Sequence, residues 1–315
     1  MADYIAFDTS NYTTSVAVLK DGIPYSERRI LPVPAGDRGL RQSDAVFLHT
    51  KALHDITAEL MKKCGDIKIN AVGYSDRPRD TDGSYMPCFL VGENAAKTLA
   101  SVLNVPSFAF SHQAGHIMAG IYSCGAPEEF EKRFLFFHVS GGTTEALLVD
   151  RTDDGFKTKI IGNTADISVG QLIDRVGVML GAGFPAGAEL EKTALGFSGR
   201  IDRMLHIKPV IKDGALNLSG FENNALRAFE NGISKEEIAF ATLKFSAASL
   251  TCLSEYAKSA AGDIPSLYAG GVIRNEYIKS KLAADRVFFA SCELSSDNAV
   301  GTVLMTAACA SRRGK

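Results

Sequence analysis

The 315-residue chain is 46% hydrophobic and 22% charged, a balance that fits a globular protein with a large core. Its 34 Lys and Arg against 36 Asp and Glu leave a formal charge of -2, so bulk charge lends no support to nucleic-acid binding. A local basic patch or a partner subunit would have to supply it. No apolar run approaches the roughly 20 residues of a bilayer span, and "MADYIAFDTS" carries no cleavable hydrophobic segment, so a cytoplasmic protein with no membrane partner is expected. The six cysteines (Cys64, Cys88, Cys124, Cys252, Cys292 and Cys309) are scattered without a C-x-x-C pair, which reads as reduced, mostly buried thiols.

The alternation in "YIAFDTS", "TTSVAVLK" and, after Asp21-Gly22, "IPYSERRIL" predicts three antiparallel strands joined by tight turns. "SDAVFLHTKALHDITAELMKKCG" changes to helical spacing and stops at Gly65. A strand "INAVGYS", a helix "CFLVGENAAKTLASVLN" and a strand "SFAFS" follow. The order then restarts with the strands "RFLFFHVSGG", "TTEALLVD" and "FKTKIIGNT" and the helix "VGQLIDRVGVMLG". "FDTSNYTTSVAVLKDG" and "HVSGGTTEALLVDRTDDG" share a strand, a polar turn, a Thr-Thr pair, an apolar strand and an acidic-Gly turn. A repeat of about 130 residues is a duplicated domain rather than a solenoid. Later come the helix "EEIAFATLKFSAASLTCLSEYAKSA", the strand "SLYAGG", the helix "RNEYIKSKLA", the strand "RVFFA" and a closing helix from Asp297. Alternating strands and helices give an α/β class. The expected subdomains are 1–112, completed by 297–315, and 113–296, with an irregular excursion near 196–220.

Four groups of residues carry chemistry. Val139, Ser140, Gly141, Gly142 and Thr143 end one strand and open the next, so backbone N–H groups and hydroxyls can meet an anion there. Asp8 to Thr14 is the matching turn of the first half, and such a pair would clasp a nucleotide. Gly270, Gly271 and Asn275 in "YAGGVIRN" lie where a strand gives way to a helix, the place for backbone dipoles facing a nucleotide, or simply for an N-cap. His112 and His116 share a helix face at i and i+4 and suit one metal ion, with Asp297 chosen as the third ligand or else as the cap of the last helix. Asp174, set among Leu172, Ile173 and Val176, is placed to accept ribose hydroxyls or to pair with Arg175.

In order over nearly the whole chain, "SFAFSHQAGHI", "HVSGGTTEAL", "GQLIDRVGVMLGAGFPAGAELEK", "LNLSG", "YAGGVIRN" and "SSDNAVG" resemble the universal tRNA threonylcarbamoyladenosine-synthesis transferases, formerly called glycoproteases or O-sialoglycoprotein endopeptidases. The resemblance implies a duplicated actin-like ATPase fold of the sugar kinase–heat-shock chaperone–actin type, with two subdomains around a nucleotide cleft. It implies transfer of a threonylcarbamoyl group from its adenylate to an adenosine of tRNA. Carried over by position, His112, His116 and Asp297 match the ligands of one divalent metal ion, iron or zinc, and Val139 to Thr143 match the substrate loop. Asp174, Gly187 and Asn275 match further contacts to the adenine nucleotide or threonylcarbamoyl-adenylate. A homologous or accessory protein subunit is a further expected partner.

The departures lie on the acceptor side. The family's "ETSCDET" turn is "DTSNYTT" here, so Tyr12 and Thr13 stand at usually acidic positions, as does Gln171 after Gly170. "PGGP" is "PAGA" around Gly187, and "SGLKT" is "SGFEN", which loses a Lys and gains Glu222. The missing carboxylates are the best candidates for a general base acting on the tRNA amine, which leaves the catalytic residues unknown. The expected activity is therefore a metal-dependent threonylcarbamoyl transfer to tRNA. The alternatives are a diverged paralogue with another acceptor and a scaffold subunit paired with an active relative. The endopeptidase name finds no support, because the histidine pair lacks the Glu of H-E-x-x-H.

Overall fold

A computed structural model describes residues 2–10, 12–32, 40–81, 83–291, 294 and 298–313. The first half runs β1 (Asp3–Ser10), β2 (Thr13–Lys20), β3 (Ile23–Ile30), α1 (Gln42–Cys64), β4 (Ile69–Arg77), α2 (Phe89–Leu103), β5 (Ser107–Ser111) and α3 (His112–Ser123). The second half opens with β6 (Arg133–Val139), β7 (Thr144–Thr152), β8 (Gly155–Thr164), α4 (Val169–Met179) and α5 (Gly187–Ala194). A small hairpin β9 (Ile211–Lys212) and β10 (Ala215–Leu216) follows, then α6 (Ser219–Glu230), α7 (Lys235–Ala261), β11 (Ser266–Ala269), α8 (Glu276–Leu282), β12 (Val287–Phe289) and α9 (Asn298–Arg313).

Both halves repeat one strand order. The first sheet is β3-β2-β1-β4-β5, and the second contains β8-β7-β6-β11-β12 with β10 and β9 added beyond β8. In each, the opening strand is central, antiparallel to its hairpin partner and parallel to the strand that returns after helical sequence. β1 is consequently buried at every residue, which explains its near-continuous apolar character. The Asp21-Gly22 turn closes a hairpin as read from sequence, at φ 51° and 82°, and a second, Asp213-Gly214 at 51° and 81°, closes β9–β10 inside the stretch expected to be irregular. Two successive positive φ values match the right-handed strand twist, and Asp and Gly reach them at low cost.

The chain divides into two units, one of Met1–Gly125, Arg151–Lys157 and Glu293–Lys315, the other of Ala126–Asp150 and Thr158–Cys292. The boundary follows Gly125 rather than residue 112, because α3 packs along α9 within the first unit. That crossing is close. A methyl group at Gly301 would lie 1.8 Å from the Gly115 carbonyl oxygen, so only glycine lets α9 approach the helix that carries both histidines. In the second unit α7 is the central helix, burying Leu243, Leu250 and Leu253 against the apolar faces of β6 and α4.

Cys64, Cys88 and Cys309 are buried free thiols, and burial pushes the Cys88 thiol up to about 11, so they pack as small apolar groups. Among the described residues no helix is long and apolar enough to cross a membrane.

Candidate functional site

In the first unit the chemistry gathers around Asp8, near the end of β1. Its carboxylate is 1% exposed. Oδ1 accepts the Ser10 N–H at 3.1 Å, while Oδ2 accepts the Ser75 hydroxyl at 2.5 Å and faces His112 Nδ1 at 2.9 Å. Burial alone would raise the Asp8 pKa. The charge of His112 and the bonds from His112, Ser75 and Ser10 outweigh that and hold the carboxyl below its usual range. His116 follows one helical turn later, with its ring centroid 4.8 Å from that of His112. The N-terminus of α3 is fixed by Ser111, whose hydroxyl oxygen accepts the Ala114 N–H at 3.1 Å and whose proton goes to Asp80 at 2.6 Å.

Two imidazoles one turn apart, one of them backed by a carboxylate on Nδ1, are a donor set that fits zinc or ferrous iron. Among the described residues no cluster of three or more His, Cys, Asp or Glu forms there. Asp297, the expected third ligand, lies outside the described residues. Tyr12 is 40% exposed in the β1–β2 turn and Thr13 opens β2, so neither restores a carboxylate to that turn. Sequence reasoning took Asp8 only as the start of the Asp8–Thr14 turn, because the side chains it bonds, Ser75 and His112, are 67 and 104 residues away.

His49, also unsuspected, is buried on α1. Its Nδ1 shares one hydrogen bond with Thr14 Oγ1 at 2.8 Å, and its Nε2 has no partner among the described residues. Burial lowers its pKa from 6.5 to about 4, against the pull of the Asp8 carboxylate. Between those two values the unfolded chain binds a proton that the folded chain refuses, so stability is full above pH 6.5 and falls toward pH 4. The expected loss is at most about 3 kcal/mol. Urea titrations at stepped pH should show this slope in the wild type and lose it in His49→Gln, and a slope unchanged by the substitution would exclude His49 as its source.

In the second unit the Ser140–Thr143 turn is closed by Ser140 N–H to Thr143 O at 2.8 Å and Thr143 N–H to Ser140 Oγ at 3.1 Å. A Cβ at Gly141 or Gly142 would meet open space, and among the described residues nothing accepts the N–H of either. The start of α4 is docked on this turn. Ser168 donates its hydroxyl to Gly141 O at 2.8 Å, the Val169 N–H reaches Thr144 Oγ1 at 3.0 Å, and a methyl at Gly170 would fall 2.3 Å from Ser140 O. Gln171 forms a reciprocal capping box with Ser168, so the side chain at this usually acidic position caps α4.

One pocket of about 350 Å³ is lined by Gly141, Gly170, Asp174, Gly187, Gly271 and Asn275. Asp174 does not pair with Arg175, which binds Glu222 at 3.2 Å. Its Oδ1 instead accepts the Ala186 N–H at 2.8 Å and fixes the loop before α5. Asn275 is the N-cap of α8 through Ile278 N–H at 2.9 Å, after a 3₁₀ turn at Gly271–Arg274, and it also lines the pocket. Val139, Ser140, Gly142, Thr143 and Gly270 stand outside the pocket lining. Gly270 has a packing role: at φ 111°, a Cβ there would lie 2.2 Å from Val139 O. Glu191 and Arg274 line the same pocket and were missed, although Glu191 lies one helical turn beyond Gly187. A larger hollow of about 1010 Å³ between α1 and α2 is mainly apolar and holds none of the predicted residues.

The family model for tRNA N6-adenosine threonylcarbamoyltransferase matches residues 39–302. A protein of that name from Streptococcus gordonii is 30% identical, with 94% of this chain and 88% of the relative covered. One from Archaeoglobus fulgidus is 26% identical over 78% of this chain and 70% of its own. Among solved structures, the activator of the 2-hydroxyisocaproyl-CoA dehydratase from Clostridium difficile with bound ADPNP superposes with a TM-score of 0.55 at 14% identity, covering 99% of this chain and 98% of that one. A ROK family glucokinase from Streptomyces griseus in complex with glucose and AMPPNP gives 0.53 at 12% identity, covering 97% and 99%. These two show the fold alone, an α/β actin-like ATPase fold of two subdomains.

Proposed function

The chain belongs to the tRNA N6-adenosine threonylcarbamoyltransferase family, a family of transferases and not of proteases, and on that premise we propose that it moves a threonylcarbamoyl group from threonylcarbamoyl-adenylate to the N6 amine of a tRNA adenosine. The observation that carries the donor side is the pocket that gathers Gly141, Asp174, Gly187, Gly271 and Asn275 from four segments of the second unit. Its volume lies at the lower end of the range for small-molecule sites, about 300–1,000 Å³, which suits a nucleoside. The free N–H groups of Gly141 and Gly142 are the donors available to the phosphate, and Asp174 is the acceptor available to ribose hydroxyls. The ADPNP of the dehydratase activator and the AMPPNP of the glucokinase support the same use of this fold.

In the transfer, the acceptor N6 forms a C–N bond to the carbamoyl carbon, the anhydride C–O bond breaks, and adenylate leaves with the electron pair. His112 and His116, with Asp297, would hold one zinc or iron ion, which as a Lewis acid would polarise the carbamoyl group. The chain's own residues orient the donor. With Tyr12 and Thr13 in the first turn and Gln171 used as a cap, the proton leaving N6 finds no carboxylate at those positions. That change favours, as a second reading, a diverged member with a different acceptor. The apolar hollow between α1 and α2 supports an accessory protein subunit, and the reading places the protein in the cytoplasm, where tRNA is modified.

Expression of this chain in cells depleted of their own family member tests the activity. Threonylcarbamoyladenosine restored to bulk tRNA is the expected result, and tRNA still lacking it would favour the other acceptor. On the donor side, Asp174→Ala should weaken AMP binding by about 1–3 kcal/mol, the scale of a lost hydrogen bond to a charged group. Calorimetric titration with AMP reads it, and an unchanged Kd would move the ribose contact elsewhere.

A further inference from the structure

We propose that Asp8 is a positioning residue for His112, its buried carboxylate fixing the ring as the Nδ1–H tautomer so that Nε2 is the lone-pair nitrogen offered to a divalent cation. The role rests on the metal reading of His112 and His116. Two other elements converge on this one carboxylate, β4 through the Ser75 hydroxyl at 2.5 Å and α3 through His112 Nδ1 at 2.9 Å, and the end of its own strand β1 adds the Ser10 N–H at 3.1 Å. An ionised acid can only accept hydrogen bonds, so in this contact the proton sits on Nδ1. With the Nδ1 proton held by the carboxylate, Nε2 is the nitrogen that gives its lone pair when a metal binds.

The surroundings leave the ring little choice. Asp8 is 1% exposed, whereas the His112 side chain keeps 22% of its surface, so the carboxylate side is closed and the ring remains accessible. The first turn of α3 is also held from outside, because Ser111 caps it and donates to Asp80, and the other Asp80 oxygen meets Arg77 at 2.6 Å. With backbone and Nδ1 both tied, the position of Nε2 follows.

The test reads the tautomer directly. Long-range ¹⁵N–¹H correlation of imidazole signals in the metal-free wild-type chain, with His112 assigned by its loss in His112→Gln, should give the Nδ1–H pattern. An Nε2–H pattern would overturn the proposal without any variant at Asp8 having to fold. In Asp8→Asn, checked for melting, His112 should shift toward Nε2–H and zinc(II) affinity should fall about 10–100-fold, the usual effect of losing such a partner. Wild-type tautomer and zinc(II) affinity in a folded Asp8→Asn would also overturn it. Failure of the wild-type chain to bind zinc(II) would sink the metal reading on which the role depends. The two failures are distinguishable because the tautomer is read without metal.

Discussion

Replacing His112 and His116 together by alanine is expected to abolish bound zinc or iron and to lower transfer activity by more than about a hundredfold, since losing one outer partner of a metal ligand already costs about 10–100-fold. The fold should survive, because both rings are only half-buried and α3 is held by its Ser111 cap and by the Gly115–Gly301 crossing. Melting should drop modestly. Asp8 loses its His112 partner but keeps Ser75 and Ser10, and an incompletely satisfied buried acceptor costs about 1–3 kcal/mol. Metal analysis of the purified protein beside a melting curve measures both effects. Full metal content in the double variant would remove the histidines from the account.

Gly170→Ala is expected to damage the nucleotide pocket from beneath. The added methyl would sit 2.3 Å from Ser140 O and 2.6 Å from Gly141 Cα, both backbone atoms that cannot rotate away. Overpacking of this kind costs about 1–3 kcal/mol, occasionally more. Because the strain falls on the Ser140–Thr143 turn, AMP affinity should fall at least about tenfold. Gly142→Ala is the control, since its Cβ would meet nothing. Stability should be almost unchanged there, and any loss of AMP affinity would report the close approach of ligand to backbone. Equal behaviour of the two variants in denaturant and in AMP titration would contradict the docking of α4 on the turn.

Much of the fold was legible because its signals are local. Hairpin turns of Asp and Gly, a helix stop at Gly65 and the repeated strand–turn–strand of β1–β2 and β6–β7 are written within a few residues each. The repeat implied two similar sheets, and both have the same five-strand order. The boundary at Gly125 was not legible, because the place of α3 depends on α9, nearly two hundred residues later. Asp174 and Asn275, read from their places in the chain, and Gly187, from the resemblance, line one pocket; the N-cap was one of the two readings of Asn275, whereas the bond made by Asp174 did not follow from spacing. Asp174 bonds to Ala186 N–H and Asn275 caps α8. Gln171 could have been read correctly, since Ser168-x-x-Gln171 is itself the capping-box pattern. Asp8 and His49 could not, because their roles arise from burial beside partners on other elements.

The most direct measurement is a reconstitution with purified protein, zinc(II) or iron(II), threonylcarbamoyl-adenylate and unmodified tRNA, with digested nucleosides weighed by mass spectrometry. The account predicts an adenosine heavier by the threonylcarbamoyl group, formed by the wild-type chain and lost in the His112→Ala, His116→Ala variant. Unmodified tRNA from a folded, metal-loaded wild-type chain that still binds or consumes the adenylate, with its partner subunit present, would contradict tRNA as the acceptor.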